Sequence, residues 1–331
     1  MPFPPVRTVE YHTAGEPFRI VAAPPVEIRG ATVAERRMFA LRDPAVDGLR
    51  RLLCFEPRGH ADMYGGFITP PDDDGAHFGV LFWHKDGFST ACGHGTIALG
   101  VWAVRSGLVA ADPSGVTDVI IDVPSGRVTA RVRDAQVDFV NVASYVLARD
   151  VPVATSAGDA VASLCFGGAI YACVSATSLG LAVTPSHLSA LIALGREIKW
   201  ALNESAHHPS DPRLSGVYGT IFFDDLGRDG DALHQRNVTI FADGEVDRSP
   251  CGSGTCARLA DLVDSGALRP GQELRHDSII GTQFRARVLS SVIAEGRPAV
   301  IPQISGMAYP IGESTFTIDP DDPLVPGFVL R

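Results

Sequence analysis

The sequence predicts an α+β chain folded as two domains of like design, over residues 1–150 and 151–331. Three observations predict it. A Cys-Gly-x-Gly-Thr motif occurs twice, as Cys92-Gly93-His94-Gly95-Thr96 and as Cys251-Gly252-Ser253-Gly254-Thr255. Each copy opens a largely apolar run that ends in Ser-Gly, at Ser106-Gly107 and Ser265-Gly266, so that cysteine and closing glycine are fifteen residues apart in both. Each is preceded by a strand-like stretch closed by Asp-Gly: Val80-Leu81-Phe82-Trp83 before Asp86-Gly87, and Val238-Thr239-Ile240-Phe241 before Asp243-Gly244. Self-similarity at a fixed offset marks a duplicated structural unit. Here the offset between the cysteines is 159 residues, close to half of the 331-residue chain.

The elements follow in order. Apolar residues at helical spacing predict a helix around residues 32–53 in the first copy and around 186–203 in the second. The β-branched and aromatic stretches before each Asp-Gly turn read as strands. After Cys92 the run Ile97-Ala98-Leu99-Gly100-Val101-Trp102-Ala103-Val104 is apolar on nearly every face, which implies a helix buried inside its domain. Downstream strands at Thr129-Ala130-Arg131-Val132 and Arg285-Ala286-Arg287-Val288 echo each other. The junction between the domains is expected at residues 149–157, with the last strand free to pack back on the first domain.

Composition narrows the partners. With 45% hydrophobic and 20% charged residues the chain reads as a soluble globular protein, and no apolar run approaches the roughly 20 residues that span a bilayer. No membrane partner is expected. The start, MPFPPVRTVEYHT, has neither a basic n-region nor an apolar h-region, which points to a cytoplasmic enzyme. A net charge of -10 repels a phosphate backbone, so nucleic acid is not expected either. The six cysteines (54, 92, 165, 173, 251, 256) include no CxxC pair and are too sparse for a disulfide scaffold. Cys54, Cys165, Cys173 and Cys256 are expected to be small buried packing residues. His207-His208, without HExxH spacing or a cysteine cluster, is expected to be exposed, and no metal site is expected.

In each copy the cysteine stands where strand and turn give way to a helix. The paired glycines let backbone N–H groups point into a small space, where the positive end of the helix dipole favours an anion such as a carboxylate. The same field is expected to lower the pKa of the adjacent thiol. Two such ends facing each other would clamp one carboxylate and set a thiol on either side of the neighbouring carbon, the arrangement needed to remove and return an α proton. His94 and Asp247 are candidates to hold the substrate nitrogen, or else they cap local backbone.

The two motifs, the second extended as Asp247-Arg248-Ser249-Pro250 before Cys251, resemble those of the proline racemase family, and the resemblance covers almost the whole chain. It implies two pseudo-symmetric domains similar to those of diaminopimelate epimerase, each wrapping strands about a central helix, with the active site in the cleft between them. It implies that Cys92 and Cys251 are the acid/base pair and that the backbone at Gly93, His94, Gly252 and Ser253 cradles the carboxylate. It places His94 and Asp247 at the ring nitrogen, with no cofactor and commonly a homodimer. The substrate it implies is proline or hydroxyproline, inverted at the α carbon. Several stretches look closer to the trans-3-hydroxy-L-proline dehydratases: Thr13-Ala14-Gly15-Glu16-Pro17, Gly59-His60-Ala61-Asp62-Met63-Tyr64-Gly65, Tyr218-Gly219-Thr220 and the Asp321-Asp322-Pro323-Leu324 ending. Those enzymes typically carry threonine where this chain has Cys251, and a second thiol is what inversion needs. Racemisation or epimerisation therefore comes first and dehydration second. A non-catalytic amino-acid-binding protein would not need a thiol at both sites, and a redox enzyme is disfavoured by the lack of CxxC.

Overall fold

A computed structural model describes residues 4–269 and 271–330. They form two compact units. Unit 1 holds Pro17–Val137 together with the strand ending at Thr13 and the segment from Met307 onward; unit 2 holds Ala14–Glu16 and Asp138–Gly306.

Unit 1 is built from β1 (Val6–Thr13), β2 (Glu16–Val21), α1 (Val33–Ala40), α2 (Pro44–Cys54), β3 (Tyr64–Thr69), β4 (Phe78–His84), β5 (Gly87–Phe88), α3 (Gly93–Arg105), β6 (Thr117–Val123) and β7 (Gly126–Arg133), and β8 (Gln136–Val140) crosses from unit 1 into unit 2 after Val137. Unit 2 continues with β9 (Ser144–Thr155), β10 (Gly158–Phe166), β11 (Ile170–Ser175), α4 (Leu188–Leu202), β12 (Val217–Asp229), β13 (Ala232–Phe241), β14 (Glu245–Asp247), α5 (Gly252–Asp264), β15 (Leu274–Ser278), β16 (Gln283–Ala294) and β17 (Arg297–Phe316). The last strand passes from unit 2 into unit 1 between Gly306 and Met307.

The duplication read from the motifs extends to strand pairing. In unit 1, β2 pairs parallel with β3, β3 antiparallel with β4, β4 antiparallel with β5 and parallel with β6, and β6 antiparallel with β7. In unit 2 the same sequence of relations runs through β11, β12, β13, β14, β15 and β16. In each unit the helix after the cysteine is the central one. Residues Gly93 through Ala103 of α3 and Gly252 through Leu262 of α5 are all buried, because strands cover them on every side. That is why α3 lacks the polar stripe of a surface helix.

Two expectations need correction. The helix predicted at 32–53 is two helices. Thr32 caps α1 in a capping box with Glu35, and Asp43 caps α2, whose first residue is Pro44. A proline suits the first helical position but clashes one turn into a continuing helix, so the chain restarts there. The junction expected at 149–157 lies inside unit 2, where residues through Thr155 belong to β9 and pair with β10. Among the described residues no helix is long and apolar enough to cross a membrane.

Candidate active site

In unit 1, Cys92 is the N-cap of α3 in ordinary extended geometry, φ -154° and ψ 102°. Its Sγ accepts a hydrogen bond from the Gly95 N–H at 3.2 Å, the bond that a serine or threonine cap would accept. A Cβ at position 95 would lie 2.5 Å from the Phe18 ring and 2.8 Å from that sulfur, so only glycine allows the approach. The Cys92 carbonyl is fixed in turn by the Thr96 N–H at 3.0 Å and the Thr96 hydroxyl at 2.8 Å. Gly93 and His94 open the helix, so their N–H groups point out of its positive end. The His94 ring nitrogens lie 3.5 and 3.6 Å from the Cys92 sulfur. That ring is held edge-on by Tyr64 and Phe18, with centroids 4.9 and 5.8 Å away, and the His94 carbonyl accepts from the Thr13 hydroxyl.

In unit 2, Cys251 precedes α5 with φ 62° and ψ 102°. A positive φ is costly for a side chain with a Cβ and persists only when neighbours over-determine it. They do so here. The Cys251 N–H donates to Ser249 Oγ at 3.0 Å, while the Ser249 N–H and hydroxyl donate to Asp247 Oδ1 at 2.8 and 2.7 Å. The carbonyl of Pro250 accepts from Asn237 Nδ2 at 3.0 Å and from the Thr255 hydroxyl at 2.8 Å. Ser253, in the first turn, shares a 2.7 Å hydrogen bond with the Tyr171 hydroxyl. Arg248 is tied by its N–H and its guanidinium to Glu16, which is fully buried.

The two thiols differ in electrostatics. Burial, followed by the negative charge of Asp247, pushes Cys251 well above the ordinary thiol range, and the nearby Thr239 hydroxyl and Gly254 N–H only partly oppose this. The lowering expected from the helix end therefore does not hold at Cys251, because desolvation outweighs the dipole. Asp247, a candidate for the substrate nitrogen, caps the Ser249 turn through Oδ1.

Cys54, Cys165, Cys173 and Cys256 are all buried. Cys165 and Cys173 offer ligand atoms within 4.8 Å of one another and of Asp261. Asp261, however, is already ion-paired to Arg149 and Arg258, so the third donor faces two cations and the group reads as a buried ion pair beside two thiols. Burial also pushes Cys165 well above the ordinary thiol range. His207 is exposed as expected. His208 is not: it is buried against Phe166 and hydrogen-bonds the Tyr145 hydroxyl at 2.9 Å.

A family model described as proline racemase matches residues 8–329. The 3-hydroxyproline 2-epimerase of Burkholderia multivorans is 44% identical over 332 residues, 98% of each chain. A trans-3-hydroxy-L-proline dehydratase of Bacillus cereus is 42% identical over 331 residues, 98% of this chain and 97% of that one. Among solved structures, a hydroxyproline epimerase from Agrobacterium vitis with bound trans-4-OH-L-proline superposes with a TM-score of 0.92 at 31% identity, covering 98% of this chain and 95% of the other.

Proposed function

Because the chain belongs to the proline racemase family, we propose that it is a 2-epimerase of hydroxyproline, 3-hydroxyproline foremost, that moves the α proton between Cys92 and Cys251. The observation that carries this is a cysteine at the N-terminus of the buried central helix in each of two like units. Cys92, as thiolate, takes the α proton to form S–H while the C–H electron pair delocalises into the substrate carboxylate. Cys251, as thiol, returns a proton to the opposite face. The assignment of roles draws on the surroundings of each sulfur. Cys92 has the Gly95 N–H and the His94 ring within reach, donors that stabilise a negative sulfur, whereas burial and Asp247 keep Cys251 protonated. N–H groups of Gly93, His94, Gly252 and Ser253 receive the carboxylate, and their field stabilises the charge that develops on it. His94 and Asp247 hold the ring nitrogen.

A second reading shares the first step. After Cys92 removes the α proton, the carbanion's electron pair forms the ring C=C bond as the C–O bond to the 3-hydroxyl breaks, and the departing oxygen takes up a proton from solvent to leave as water; the likeness to the Bacillus cereus dehydratase favours it. The two part in deuterium oxide. With L-proline, trans-4-hydroxy-L-proline and trans-3-hydroxy-L-proline each supplied alone, epimerisation gives an inverted product labelled at the α carbon. Dehydration consumes only the 3-hydroxy compound and yields a cyclic imine, trapped by borohydride as proline. Imine without inverted product from any of the three overturns the epimerase assignment.

A further inference from the structure

We infer that His276 is a positioning residue for Cys251, acting through Thr255 on the peptide that holds the cysteine at positive φ. The inference rests on the reading of Cys251 as a reacting thiol. The Thr255 hydroxyl has one proton, and it goes to the Pro250 carbonyl at 2.8 Å. The 2.9 Å contact between Thr255 Oγ1 and His276 Nδ1 must then be a bond donated by the ring, which fixes His276 as the Nδ1–H tautomer. His276 is fully buried on β15, and burial with the nearby Arg258 charge pushes its pKa down to about 3, so the ring is neutral and the tautomer persists. The chain of bonds runs from His276 to Thr255, to the Pro250 carbonyl, and so to the peptide plane that carries the Cys251 N–H. Asn237 and Ser249 hold the other faces of that plane. Without the ring donor the threonine hydroxyl can turn its proton elsewhere, the Pro250 carbonyl loses a partner, and the peptide is released from its strained setting.

Two substitutions separate positioning from space filling. The amide nitrogen of an asparagine side chain can occupy the place of the imidazole Nδ1, whereas glutamine reaches toward the place of Nε2 but fills more of the cavity. His276→Asn should therefore keep kcat within about threefold of wild type, while His276→Gln lowers it between about tenfold and a hundredfold with KM nearly unchanged. A readout independent of turnover is the ratio of iodoacetamide labelling at Cys251 to that at Cys92, mapped on peptides from the same sample. It should fall at least threefold in His276→Gln and stay level in His276→Asn. Should either variant fail to fold, Thr255→Ser, which keeps the hydroxyl, and Thr255→Val, which removes it, should divide the same way. Equal loss in the two His276 variants, or an unchanged labelling ratio in folded His276→Gln or Thr255→Val, overturns the inference. A shifted ratio in a protein whose wild type inverts no hydroxyproline leaves the positioning role standing and removes the epimerase assignment instead.

Discussion

Acid should unfold this protein through two buried histidines before its carboxylates titrate. Burial pushes both His84 in unit 1 and His276 in unit 2 down to about 3 from an ordinary 6.5; nearby arginines add to the effect, and at His84 the Asp86 charge opposes it. Between those two values the unfolded chain binds a proton at each site that the folded chain refuses. Stability therefore rises with pH: the contribution is complete above about pH 6.5 and is lost as pH falls toward 3. Each histidine should remove about 2 kcal/mol between pH 7 and pH 5, and the pair about 4 kcal/mol, a large part of a typical folding free energy. His208, also lowered by burial, acts in the same direction. Urea denaturation at pH 7, 6 and 5 and constant ionic strength measures this. His276→Asn, which keeps a donor but cannot titrate, should lose about 2 kcal/mol less than wild type over that interval. Parallel losses in wild type and variant would refute a neutral, desolvated His276.

Cys251→Ser and Cys251→Thr should both abolish inversion, measured by α-deuterium incorporation, while any elimination begun by Cys92 survives. The threonine variant should be less stable than the serine one by about 1–2 kcal/mol, because a β-branched side chain is poorly accommodated at φ 62°. Iodoacetamide should label Cys92 or Cys251 before the other four cysteines, with slowing by the planar carboxylate pyrrole-2-carboxylate; first labelling at Cys54 or Cys173 without protection would count against the site. Gly95→Ala should lower turnover at least tenfold and cost about 1–3 kcal/mol in thermal denaturation, since its Cβ meets both Phe18 and the Cys92 sulfur. Asp261→Ala leaves buried Arg258 uncompensated and should cost about 3–5 kcal/mol in urea, much of it recovered by adding Arg258→Met.

What could be read from the sequence was local chemistry that repeats. Cys-Gly-x-Gly-Thr, the Asp-Gly turns and the Ser-Gly ends each specify their own backbone, and finding them twice revealed the duplication that the strand pairings of both units display. The break between α1 and α2 was written in Asp43-Pro44, but apolar spacing that continues across it hid the restart. The junction expected at residues 149–157 follows from dividing the chain between two motifs half its length apart. Residues 149–155 instead belong to β9, which is held by its pairing with β10. The site's deeper parts were invisible for the same reason. Asn237, Thr239 and His276 come from β13 and β15, and only the fold brings them to the turn around Cys251. Burial raises the Cys251 thiol where the sequence leads to a lowered one, because the helix dipole can be inferred from sequence whereas the degree of burial cannot.

The passage of β17 from one unit to the other bears on the timing of synthesis. β1 has its antiparallel partner in the far end of that strand, Val6 against Phe316, so the first strand made is paired by one of the last. About 300 residues separate them, and at a ribosomal rate of 5–20 residues per second the N-terminal strand waits roughly 15–60 s with a bare edge. Unit 1 thus cannot finish before unit 2 has been made, although it begins first. An exposed strand edge is a template for pairing with other chains, and nascent copies of this protein on one message carry that edge side by side. Chains arrested after residue 137 should aggregate or hold a chaperone, and a circular permutant that begins at Met307 and joins Phe316 by a short linker to Val6 should not; equal solubility of the two would remove the effect.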